Sequence, residues 1–145
     1  MMYALILLTL ILFNPIISND FISIKEGTNK ANLRKGPGDW YPIKWQISAP
    51  SLPLKVIEKG EFYNKVELHD GTQGWLSIIL TSDKRNLIVI KDTNLLNNNG
   101  TIKAKVLKDN IIKIYNCDLE KKSQLCLVEI KNIKGYVKKS NLWGF

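Results

Sequence analysis

The chain has 145 residues, room for one ordinary domain or two very small ones, and its 45% hydrophobic and 23% charged content excludes wholesale disorder. Its formal net charge of +8 draws it toward anionic partners: envelope polymers, phospholipid head groups or nucleic acid.

The first 18 residues, MMYALILLTLILFNPIIS, carry no charge. An apolar run from Ala4 to Phe13 ends at Asn14-Pro15, and polar residues begin at Ser18. That layout is that of a secretory signal peptide over 1–18. An uncleaved anchor and a buried core segment are the rival readings. A spanning helix wants about 20 apolar residues, and Pro15 interrupts this one. Export places the protein in the periplasm or cell envelope and makes nucleic acid an unexpected partner. All the charge then belongs to the exported part: 10 basic and 8 acidic residues from Asn19 to Arg85, 11 basic and 5 acidic from Asn86 to Phe145. Lysines that merely solvate the surface are the plainer account of this excess.

Next comes ANLRKGPGDWYPIKW, from Ala31 to Trp45. A phosphate-cradling loop would need its glycines to lead into Lys-Ser/Thr and a helix. Here Gly36-Pro37-Gly38 leads to Asp39-Trp40-Tyr41-Pro42, which reads as a turn. Leu33 is expected inside and Arg34 along the flank with its charge in water. The segments PLKVIEK, NKVELHD, GWLSIIL, IKAKVL, NIIKIYN, QLCLVEIK and KGYVKK are short and β-branched, and many alternate apolar with polar residues. Turn signals separate them at Asp70-Gly71, Asn97-Asn98-Asn99-Gly100, Asp109-Asn110 and Asn132. The sequon Asn99-Gly100-Thr101 is most simply one of these turns. Leu87 to Ile90 reads as an opening strand, not a linker.

The chain also repeats itself. ANLRKGPG (31–38) aligns with TNLLNNNG (93–100), and KVELHDGTQGWL (65–76) with LVEIKNIKGYVK (127–138). The expected fold is therefore all-β: two tandem small barrels of about five strands, over 19–83 and 84–145, lying close together.

Catalytic chemistry is sparse. The single histidine, His69, adjoins the hairpin dipeptide Asp70-Gly71 and is expected at an exposed strand end. No Ser-x-x-Lys, Gly-x-Ser-x-Gly or His-Glu-x-x-His pattern occurs, and the acidic residues are scattered among lysines. The expectation is a protein that is not an enzyme, with no cofactor and no metal site. Cys117 and Cys126 are an even pair nine positions apart, close enough to face each other across a hairpin; a disulfide suits an exported chain, with free thiols the alternative.

NLRKGPGDWYPIKW resembles the opening of a bacterial Src-homology-3-like (SH3-like) domain, and VELHDGTQGWLSIIL resembles its close. VEIKNIKGYVKKSNLWG closes the second copy in a similar way, although Leu96-Asn97-Asn98-Asn99 replaces Arg34-Lys35-Gly36-Pro37 at that copy's opening. Tandem copies, a signal, a cysteine pair and a final Leu-Trp-Gly look like exported two-domain proteins of this family from proteobacteria. The resemblance implies binding: a cell-wall (peptidoglycan) polymer, or alternatively an envelope protein offering an extended peptide, with peripheral membrane contact also allowed. Candidate ligand contacts are Trp40 and Tyr41, with Arg34, Lys35 and Lys44 around them and Phe62 and Tyr63 in the next turn. Trp45 and Trp75 are expected to be mostly core.

Overall fold

Alternation of apolar and polar residues underlies strands such as β2 and β6, whose inward positions are buried while the residues between them face out. The computed structural model describes residues 20–117 and 124–145, so the segment 1–18, expected to be a signal peptide, lies outside the described residues. The first seven strands are β1 (Phe21–Ile24), β2 (Ala31–Arg34), β3 (Ile43–Ile47), β4 (Pro53–Glu58), β5 (Tyr63–Glu67), β6 (Gln73–Ser77) and β7 (Thr81–Ser82). The second seven are β8 (Asn86–Val89), β9 (Thr93–Leu96), β10 (Ile102–Val106), β11 (Ile111–Cys117), β12 (Leu125–Ile130), β13 (Ile133–Lys138) and β14 (Leu142–Trp143). One 3-10 turn precedes the last strand of each set, at Ile78–Leu80 and Lys139–Asn141. Every pairing is antiparallel, in two separate sheets ordered β3-β2-β6-β5-β4-β1-β7 and β10-β9-β13-β12-β11-β8-β14.

The all-β architecture in two units is as the sequence led us to expect, with seven strands per unit in place of five. The surplus lies at the ends of each copy. β7 and β14 are two residues long, below what periodicity can register, and they return to pair with β1 and β8.

The repeat extends to irregularities. The β2–β3 ladder slips at Leu33/Arg34 and the β9–β10 ladder at Ile102/Ala104. Within those slips Lys44 Nζ donates to the Gln73 carbonyl at 3.0 Å, and Lys103 Nζ to the Lys134 carbonyl at 2.8 Å. β4–β5 slips at Val56/Glu58, and β11–β12 at Ile114/Asn116. Gly74 faces Val66 in one sheet, and Gly135 faces Val128 in the other. A Cβ on Gly74 would lie 2.5 Å from Leu33 Cγ, and one on Gly135 2.6 Å from Leu95 Cγ. Each glycine thus leaves room for a fully buried leucine from the crossing strand.

Each sheet closes over its own core. Ile24, Leu33, Leu54, Val66 and Leu76 fill the first; Leu87, Val89, Leu95, Val128 and Val137 fill the second. The units also share an apolar joint. Ile88 is buried in the first core cluster, and Ile111 and Trp143 pack against it. The Trp143 ring meets Phe21 edge-on at 5.0 Å, Asn86 Nδ2 donates to Ser23 Oγ at 3.1 Å, and the Arg85 guanidinium lies 5.6 Å from the centre of the Phe21 ring.

The joint changes the reading of His69. Its side chain is 21% exposed, its Nδ1 is buried, its Nε2 lies 3.8 Å from Asp109 Oδ1, and its ring faces Trp143 at 6.3 Å. The turn itself forms as expected: Asp70 Oδ1 accepts from Thr72 N–H, which lowers the Asp70 carboxyl, and Gly71 takes φ 86°. The histidine escapes the solvent because the second unit covers it.

The two expected core tryptophans are displaced for separate reasons. Trp45 is 57% exposed. It stands in register with the core residue Leu33, but β3 is the edge strand and no further strand covers it. Trp75 is half-buried on the outer face, because Gly74 and Leu76 occupy the inward positions of β6.

Cys117 and Cys126 are cross-strand partners and form a disulfide at the base of the β11–β12 connection. Replacing both with serine should cost about 2.5–3 kcal/mol in urea unfolding, the loop-entropy value for so short a closure. Gly74→Ala and Gly135→Ala should each cost on the order of 1–3 kcal/mol, because the added methyl meets a leucine branch point and a strand carbonyl that cannot both retreat.

Candidate functional site

The loop between β2 and β3 is organised from within. Lys35 N–H donates to the Pro42 carbonyl at 3.0 Å and Tyr41 N–H to the Gly38 carbonyl at 3.2 Å, which fold residues 35–42 back on themselves. Arg34 holds the inside. Its Nη1 donates to the Asp39 and Tyr41 carbonyls, both at 2.9 Å, and its Nη2 lies 3.6 Å from Asp39 Oδ1. The Tyr63 hydroxyl donates to the same Asp39 carboxylate, tying the β4–β5 turn to this loop. The Arg34 side chain is only 17% exposed, so its charge serves the loop more than the solvent.

This lattice displays aromatic surface. Trp40 is 80% exposed and Phe62 66%, while Tyr41 lies beside Trp40 with ring centroids 5.7 Å apart. Rings have few rotors to freeze, so a fixed pair of them offers contact area at small entropic cost. Ile43 and Trp45 continue the apolar display along the free edge of β3.

Beside the loop, on the outer face of the first sheet, a groove of about 370 Å³ is lined by Arg34, Lys35, Lys44, Lys65, Gln73, Gly74 and Trp75. The sheet register explains the grouping. Arg34 and Lys65 are the cross-strand neighbours of Trp75 on its two sides.

Of the residues expected to contact a ligand, Trp40, Tyr41 and Phe62 are presented to solvent, and Lys35 lies on the groove rim. Arg34 and Tyr63 instead brace the loop, and Lys44 is tethered to a backbone carbonyl as its counterpart Lys103 is. Lys65 and Trp75 also belong to the groove, although the sequence reading did not single out Lys65 and expected Trp75 in the core. The strand alternation of KVE and GWL could have placed both on the outer face.

The hydrogen bond to Asp39, then burial, raise the Tyr63 hydroxyl above its ordinary value of 10.0. A raised group contributes stability that is whole below pH 10 and is lost as pH climbs through the folded value. Tryptophan fluorescence should therefore show an alkaline change that is smaller in Tyr63→Phe than in the unaltered protein. Arg34→Met should leave the barrel folded by circular dichroism yet quicken amide exchange across residues 35–42.

No curated protein matches the chain. The solved structures of NlpC2 and NlpC1 from Trichomonas vaginalis are 12% and 13% identical to it, cover 85% and 84% of it, and have TM-scores of 0.39. The chain spans under half of either, 47% and 44%. Residues 27–83, a segment from just before β2 to just beyond β7, match the family model of the bacterial SH3 domain.

Proposed function

We propose that the protein is a non-catalytic, exported binding module that recognises a cell-wall polymer through the loop of the first barrel. One observation carries this reading: Trp40 and Tyr41 are exposed on a loop braced by Arg34, Asp39 and Tyr63, with Phe62 exposed on the neighbouring β4–β5 turn. A surface that is apolar and held still favours binding, since little freedom remains to be lost on contact. The match of residues 27–83 to the bacterial SH3 domain supports it, since domains of that kind commonly bind cell-wall components.

Export is supported by the charge-free leader and by the disulfide, which persists in oxidising compartments. The absence of catalysis is supported by how the reactive side chains are used. Both cysteines are joined to each other, and His69 is packed against Trp143.

The free edge of β3 favours a second reading. Ile43 and Trp45 are 49% and 57% exposed on a strand whose outer side is unpaired in the sheet, a form suited to adding an extended peptide from an envelope protein.

Co-sedimentation with isolated sacculi separates the two readings. The mature protein should pellet with sacculi, and Trp40→Ala combined with Tyr41→Ala should weaken the association by at least about tenfold. Failure to pellet, together with a protein crosslinked through β3, would favour the peptide reading.

A further inference from the structure

The groove over Trp75 has a composition that overall lysine content does not explain. The first copy carries the smaller charge excess, 10 basic against 8 acidic residues, while the second carries 11 against 5. Yet four cationic side chains, Arg34, Lys35, Lys44 and Lys65, converge on one indole in the first copy. The register gives the equivalent positions in the second. Tyr136 takes the place of Trp75, its neighbours are Leu96 and Leu127 in place of Arg34 and Lys65, and Asn97 follows where Lys35 stands. Only the tethered lysine, Lys103, is retained. The copy with more lysines lacks this cluster.

Two of the four cations are committed, Arg34 to the loop and Lys44 to the Gln73 carbonyl. Among the described residues, neither Lys35 nor Lys65 has a carboxylate within salt-bridge distance. Glu58 is the cross-strand partner of Lys65 but makes no ion pair with it, Glu67 accepts from Gln73 Nε2 at 2.7 Å, and neither glutamate lines the groove. A volume of about 370 Å³ lies within the range of small-ligand sites, which run from about 300 to 1,000 Å³.

We propose that this groove binds an oxyanion carried on a sugar or polyol chain, the anion lying between Lys35 and Lys65 and the chain running over the Trp75 indole. The proposal rests on the cell-wall reading and specifies the chemistry of the polymer: a charged glycan or polyol backbone. A carboxylate on an acidic sugar and a phosphate in a polyol phosphate supply the same charge, and separate probes distinguish them.

The test is calorimetric titration of the mature protein with hexagalacturonate, with a glycerol-phosphate hexamer, and with neutral maltohexaose. Saturable, salt-sensitive binding of either anionic oligomer is expected, with maltohexaose inert; the tighter of the two identifies the anion's source. Lys35→Glu and Lys65→Glu should each weaken binding at least roughly tenfold. Lys108→Glu, in the second copy, should leave it within about twofold. Trp75→Phe retains an aromatic floor and should reduce affinity less than Trp75→Leu.

Binding of neither anionic oligomer would overturn the proposal, as would equal losses from Lys65→Glu and Lys108→Glu, which would mark diffuse attraction. Because soluble oligomers interrogate the groove directly, the result stands apart from sacculus binding. If sacculus binding depends on Trp40 and Tyr41 but is untouched by Lys35→Glu and Lys65→Glu, the groove fails while the cell-wall reading survives.

Discussion

A leucine packed onto a glycine organises each half of this molecule. β2 can cross β6, and β9 can cross β13, only because Gly74 and Gly135 present bare backbone to Leu33 and Leu95. That crossing turns a meandering sheet into a closed core. It also sets what lies outside, since a residue facing inward at 74 obliges its neighbour at 75 to face outward. The buried leucine contact and the exposed indole are two results of one pleat.

The same skeleton supports two different surfaces. Bulges, the lysine-to-carbonyl tethers and the 3-10 turns recur in both copies, and these are the features that keep the strands in register. The divergence is concentrated where register makes no demand. Eight residues, Lys35 to Pro42, form the first copy's aromatic loop, whereas Asn97 to Thr101 close the matching gap with an asparagine turn, its ends joined by Asn97 N–H to the Thr101 carbonyl. At the β4–β5 turn, Gly60 N–H donates to Asn64 Oδ1, while the second copy places a disulfide at the corresponding neck.

Much of the fold was legible because repetition and alternation are properties of the chain itself. Gly74-Trp75-Leu76 and Gly135-Tyr136-Val137 mark the same bend, and the Asp70-Gly71 turn forms where its residues indicate. What escaped reading depends on contacts between distant segments. Trp45 is core-facing by register, but its exposure follows from β3 being an edge, a fact of sheet order. His69 looks solvent-exposed until Trp143, 74 positions later, is laid against it. At the candidate site, composition pointed to Trp40 and Tyr41. The roles of Arg34 and Tyr63 required distances, because a side chain that braces a loop and one that touches a ligand look alike in a string of letters.

The apolar joint has a geometric consequence. With Ile88 buried among the first core's residues and Trp143 packed against them, the two halves meet through side chains of the second half's first and last strands. Loss of the last strand would thus unseal both barrels together, because Trp143 lies against Phe21 and His69 of the first while it pairs with Ile88 in the second.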